Sequence, residues 1–201
     1  LKLFTGTAVK GHAGLIDVFV GSGDSGAAGD ISLSAGLTTF RSGSGGSIMM
    51  QSGFSQVTSS GEIVLMTSNS ATSSGVSGAI SLQSGSSYHK SGDISLVTGA
   101  SQSAMGGSVA LSVGDATSGD GGNIELRAGE SFAEGMDGGD VEISGGHGSS
   151  SADPGGEGGM VFINGGNAAG GNSYDLGGDV QVTGGKSASG TGGLLLFKSG
   201  V

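Results

Sequence analysis

The residues best equipped for chemistry in this 201-residue chain are its carboxylates. Ten of the seventeen lie between Asp115 and Glu157, where Arg127 is the one Lys or Arg. Carboxylate oxygens gathered at chain turns are Ca²⁺ ligands, and Asp120, Asp137, Asp140 and Glu142 fall near the turns of this stretch. Glu125 and Glu142 occupy equivalent outward positions, and like charges facing one another need screening or a bridging cation. The Ca²⁺ nonapeptide GGxGxDxUx and the EF-hand loop are both missing. The reading is a chain that needs no cofactor, with Ca²⁺ the one ion its oxygens could gather and a solvated acidic face as their plainer role.

Other reactive groups are sparse. His12, His89 and His147 are far apart in sequence and stand outside the apolar segments, as surface histidines do. There is no H-E-x-x-H and no G-x-S-x-G elbow in a strand-to-helix context. Serine is abundant, but a nucleophilic Ser needs a base and an oxyanion hole, and neither is indicated. Sugar-cleaving β-helices contact substrate through aromatics and Arg, and this chain has two Tyr and two Arg. No helix follows the Gly-rich segments, so they are not phosphate cradles. The expectation is a protein that is not an enzyme, with no catalytic, cofactor-binding or metal residues.

Composition narrows the class further. The chain holds 47 Gly and 36 Ser, with 34% hydrophobic and 4% aromatic residues, too few for an ordinary core. Its net charge of −10, with seven basic residues, excludes a phosphate-backbone binder. No stretch approaches the roughly 20 apolar residues of a membrane span, and no N-x-[ST] sequon occurs. Without Cys there is neither disulfide nor thiolate chemistry. Residue 1 is Leu within LKLF, which reads as a processed product or an excised segment.

What positions these residues is a repeat, Gly-x-Φ-x-Φ-x-small-Gly with Φ apolar, as in GDISLSAG (29–36), GAISLQSG (78–85), GSVALSVG (107–114) and GDVQVTGG (178–185). The first apolar position falls on Leu1, Val18, Ile31, Ile48, Ile63, Ile80, Ile94, Val109, Ile124, Val141, Val161, Val180 and Leu195. The second falls on Leu3, Val20, Leu33, Met50, Leu65, Leu82, Leu96, Leu111, Leu126, Ile143, Ile163, Val182 and Phe197. None of these 26 positions is polar, and the closing Gly is kept in twelve of the thirteen units, Ser68 being the exception.

Apolar residues two apart mark a short strand with one buried face. Like residues recur in like register, and the intervening segments are too long for tight hairpins. The pattern predicts one all-β domain over 1–201, a parallel β-solenoid of about 13 short coils with roughly 16 residues per coil. The bounding Gly residues are expected either to adopt positive φ or to stand where no Cβ fits.

These repeats resemble the Gly/Ser-rich repeat proteins of the diatom and microalgal extracellular surface, whose arrays read GGSVxLxSGxS. The resemblance covers nearly the whole chain and implies a secreted or cell-surface structural role. The function expected is a structural protein forming an extracellular fibre, sheath or adhesive by end-to-end stacking of coils. Its partner would be itself, with polysaccharide or another surface as further ligand, and neither nucleic acid nor a membrane span. The alternatives are an ice-, mineral- or glycan-recognition module and a viral or phage fibre segment.

Two surfaces carry the assembly expectation. The terminal units are uncapped and among the most apolar, and an open end of a stack invites pairing. Leu1, Leu3, Phe4, Leu194, Leu195, Leu196 and Phe197 are therefore the expected assembly interface. Outward-facing Met49, Val64 and Met66, on neighbouring units, are the candidate lateral contact.

Overall fold

The computed structural model describes residues 1–70 and 74–200, and among them there is neither helix nor strand. The all-β solenoid expected from the repeat is thus not formed. One feature of the sequence accounts for this. The connecting segments are mostly Ser, Gly, Asp and Ala, and their scattered large apolar residues, such as Phe40, Phe54 and Phe132, stand exposed and give the Ile and Leu column no continuous wall to pack against.

The repeat itself is present and more regular than the sequence reading allows. It comprises thirteen arms: arm 1 (1–6), arm 2 (14–21), arm 3 (29–36), arm 4 (46–53), arm 5 (61–68), arm 6 (78–85), arm 7 (92–99), arm 8 (107–114), arm 9 (122–129), arm 10 (139–146), arm 11 (159–166), arm 12 (178–185) and arm 13 (193–200). We number each arm 1 to 8 from opening to closing Gly, so that Φ stands at positions 3 and 5 and the small residue at 7. Arm 1 enters at position 3.

The contacts of arm 2 correct its expected register. Gly29 lies against Val20 and Gly14 against Thr5, which puts Val20, not Ser22, at position 7. Ile16 and Val18 then become the apolar pair. With that shift the opening Gly is kept in all twelve arms that contain it, always seven residues before the closing position.

Side-chain exposure follows the same numbering. Position 3 is half exposed throughout, from 46% at Leu195 to 65% at Val109, the chain-terminal Leu1 apart. Position 5 is more exposed in each of those arms, and position 7 is the most covered of the three in arms 2 to 6 and 8 to 11, as at Val20 and Val113. Alternation with period two is that of an extended chain. Yet no hydrophobic residue is buried among those described, so order here is local geometry without a core.

The chain divides into two compact units, Leu1–Ser95 and Leu96–Val201. The first carries four basic residues (Lys2, Lys10, Arg41, Lys90) against five acidic ones, a net charge of −1. The second carries three basic against twelve acidic, a net charge of −9.

Candidate functional site

The recurring structural site is the joint, where the opening Gly of one arm meets position 7 or 8 of the arm before. At each of the twelve joints the opening Gly lies beside position 7 or 8 of the preceding arm. A Cβ on Gly14, Gly29 or Gly122 would stand 2.8 to 2.9 Å from the side chain of Thr5, Val20 or Val113. On Gly46, Gly78 and Gly107 it would meet Ala35, Thr67 and Thr98 at 3.3 to 3.4 Å. Real Cβ atoms rarely come so close, so Gly is what lets consecutive arms touch at these joints, whereas at Gly61 and Gly92 a Cβ would meet its neighbours at an ordinary 3.5 and 3.7 Å.

At the last three joints position 7 is itself Gly. There Gly145, Gly165 and Gly184 lie so close to the carbonyls of Gly159, Gly178 and Gly193 that a Cβ on any of them would overlap the oxygen. The closing Gly behaves oppositely. All twelve, from Gly6 to Gly200, have open space where a Cβ would go, and none has positive φ. Ser68 at the thirteenth closing position is therefore no anomaly. The positive-φ glycines are Gly26, Gly119 and Gly135, all in connections. Of the two roles expected for the bounding Gly, exclusion of Cβ holds at most opening positions, though not at Gly61 or Gly92, and positive φ holds at neither end.

Six joints are closed by one backbone hydrogen bond. The N–H groups of Gly46, Gly61, Gly139, Gly159, Gly178 and Gly193 donate to the carbonyls of Gly36, Gly53, Gly129, Gly146, Gly166 and Gly185 at 2.8 to 2.9 Å. Position 7 of the preceding arm is Ala35, Ser52, Ala128, Gly145, Gly165 or Gly184 in these cases. The joints with β-branched Thr5, Val20, Thr67, Thr98 or Val113 at position 7 lack the bond. Two heavy atoms on Cβ are stiff and bulky, and they hold the next Gly away from the carbonyl. Ser84 is the unbranched residue whose joint is also open; its connection, 86–91, is the shortest of the twelve.

The serines of the connections have a structural task. Thr38, Ser55, Ser87, Ser101 and Ser187 each stand two residues past a closing Gly, and each side-chain oxygen accepts a backbone N–H two or three residues on. Such hydroxyl turns compete with regular structure and reverse the chain. Sequence reading takes these residues as filler. The signal that finds them is Gly-x-Ser/Thr at the closing end of the repeat.

The residues singled out for chemistry are not brought together. His12, His89 and His147 sit exposed in three separate connections. Asp120 and Asp137 lie in connections and Asp140, Glu142 and Glu125 on arms, and no three such side chains converge among the described residues. The ion pairs Lys90–Asp93 and Arg127–Glu130, both 3.1 Å, are local and exposed. The open depression at Ser86, Ser87 and Tyr88 carries no charged group. Among the described residues no helix is long and apolar enough to cross a membrane.

The expected assembly residues are all exposed. Leu1, Leu3, Phe4, Leu194 and Phe197 stand largely free and Leu195 and Leu196 half free. The terminal arms are thus uncovered in the same way as the inner ones. Met49, Val64 and Met66 are exposed on arms 4 and 5, which the Gly61 N–H to Gly53 carbonyl bond holds together at 2.9 Å. Compared with protein-family models, curated proteins and solved structures, the chain matches none.

Proposed function

We propose that the chain is a structural protein whose arms become covered by further copies of itself, in an extracellular fibre, sheath or adhesive. The observation that carries this reading is a regular repeat with no interior. A folded monomer of 19.0 kDa would expose about 8,400 Å² and its unfolded chain about 27,500 Å². This chain exposes 20423 Å². Its apolar side chains at positions 3 and 5 keep one geometry from arm to arm while remaining in water, a cost of about 25 cal/mol for each Å² left uncovered.

Among the described residues the arms leave their backbone N–H and C=O groups without partners beyond one bond per closed joint, the Ala35 carbonyl that accepts from the Ser34 hydroxyl apart. Such groups template pairing with another chain. Thirteen arms of one grammar give each copy many weak and equivalent contacts, whose sum is strong through multivalency. The extracellular setting rests on the resemblance of the repeats to algal surface proteins. Sedimentation velocity of the full chain from low to high micromolar concentration, with electron microscopy of the fast fraction, tests the proposal. Extended assemblies that grow with concentration are expected; a single monomeric species throughout overturns it.

A further inference from the structure

We infer that Asn164 is a site at which the chain modifies itself: its side-chain amide condenses with the backbone N–H of Gly165, and one of the products opens the joint between arms 11 and 12. The five Asn residues are followed by Ser70, Ile124, Gly165, Ala168 and Ser173. A residue without Cβ leaves its backbone nitrogen unhindered and the peptide free to turn toward the preceding side chain, and Gly165 is the one Gly among these five. Asn164 is exposed, and neither its side chain nor the Gly165 N–H has a hydrogen-bond partner among the described residues. Asn172 differs, since its Oδ1 accepts the Tyr174 N–H at 3.1 Å.

The joint itself demands this glycine. A Cβ at 165 would overlap the Gly178 carbonyl, so arm 11 meets arm 12 in this way only with Gly there. At the two other joints of this kind the preceding residue is Ser144 or Thr183, whose side chains hold no acyl carbon to attack. At Asn164 the Gly165 nitrogen bonds to Cγ, the Cγ–Nδ2 bond breaks, and ammonia leaves with the proton that the nitrogen gives up. Water then opens the five-membered imide. Cleavage at Cγ gives aspartate on the original main-chain path. Cleavage at the backbone carbonyl carbon gives isoaspartate, whose main chain runs through Cβ and Cγ. Either product adds one carboxylate, and the second also inserts a methylene before Gly165. That shifts Gly165 and Gly166 by about one bond length, roughly 1.5 Å, more than the 2.8 Å bond from the Gly178 N–H to the Gly166 carbonyl tolerates. The reaction needs water and no second copy, so it holds or fails separately from self-assembly.

The test is to incubate the dilute full chain at mildly alkaline pH and physiological temperature and to follow each Asn by peptide mass mapping. Conversion at Asn164, with isoaspartyl as well as aspartyl product, is expected at least about tenfold faster than at Asn69, Asn123, Asn167 or Asn172, because only Asn164 precedes a residue without Cβ. A rate at Asn164 no greater than at the other four overturns the inference. Asn164→Gln, whose ring would need six members, should suppress conversion at that position, and an unchanged rate also overturns it. Ser144→Asn sets the same pair before the equivalent joint glycine, Gly145, and should convert within about threefold of the Asn164 rate; a stable amide there contradicts the role given to the joint. The Gly178 amide temperature coefficient reads the consequence. It should rise in the isoaspartyl form and stay unchanged in freshly prepared Asn164→Asp, whereas a bond kept in the isoaspartyl form, or lost equally in Asn164→Asp, overturns the opening of the joint.

Discussion

The Cγ1 of Val113 stands 2.8 Å from the point that a Cβ on Gly122 would occupy, and the Gly122 N–H makes no bond to the Gly114 carbonyl. Seventeen residues on, the same joint with Ala128 in place of valine closes, and the Gly139 N–H reaches the Gly129 carbonyl at 2.9 Å. Every β-branched residue at position 7 goes with an open joint, and every unbranched one except Ser84 with a closed joint.

Exchanging the two side chains should exchange the joints. Val113→Ala is expected to let the Gly122 N–H bond to Gly114, and Ala128→Val to release the Gly139 N–H. A net gain of about 1 kcal/mol per bond corresponds to roughly a fivefold change in the closed population. Amide temperature coefficients of Gly122 and Gly139 read both directions; coefficients unchanged in the two variants would show that connection length, not branching, sets the joint.

Adjacent glycines should differ sharply. A Cβ at position 145 overlaps the Gly159 carbonyl, while one at 146 meets nothing within 4 Å. Gly145→Ala is expected to abolish the Gly159 to Gly146 bond and weaken assembly. Gly146→Ala leaves assembly unchanged or strengthens it slightly, since Ala has less freedom to lose than Gly. The amide shift of Gly159 and the concentration at which each variant begins to assemble provide the comparison, and equal effects would contradict the joint geometry.

Ser187→Ala removes the hydroxyl that accepts the Gly190 N–H at 2.8 Å. The connection 186–192 should loosen, seen as an increased temperature coefficient of the Gly190 amide, while the assembly threshold moves by less than about twofold because an exposed hydroxyl turn is worth little net free energy. A large loss of assembly would mean that these connections take part in the contact between copies.

Self-assembly of like-charged copies must respond to screening. Net charge is −10 at pH 7 and vanishes near pH 4.4, so repulsion falls as pH drops between these values. Assembly is expected to begin at lower concentration toward pH 5, and also at pH 7 when salt rises from 10 to about 150 mM, where the Debye length shortens from about 30 to about 8 Å. Light scattering follows both; slower assembly with added salt would point to attraction between opposite charges instead.

Much of the local plan is legible in the residues. Gly at 14 and 21, 29 and 36, or 178 and 185 brackets each arm at one spacing, and the Ile and Leu pairs mark its faces. What periodicity cannot supply is the partner of those faces. The pairs at Ile31 and Leu33 or Ile80 and Leu82 suit an enclosed column equally well whether the second wall comes from the same chain or another, and the few apolar residues of the connections, such as Phe40 and Phe132, stand exposed rather than forming one. Arm 2 is misread at Val18 and Val20 because LIDVFV offers apolar residues at three alternate positions; the Gly14 to Gly21 bracket and the contacts of Gly14 with Thr5 and Gly29 with Val20 choose among them. Steric need separates opening from closing Gly, and composition makes them identical.

Hydrogen exchange read by mass spectrometry, on the dilute chain and on its assemblies, addresses the missing interior most directly. Amides at positions 2 to 7 of the arms should exchange at nearly unprotected rates in the dilute monomer and slow by at least a hundredfold on assembly, while the connections stay fast in both. Arms already protected in the monomer, to the same extent as in the assembly, would show that each chain covers its own apolar faces and would contradict the claim that other copies do so.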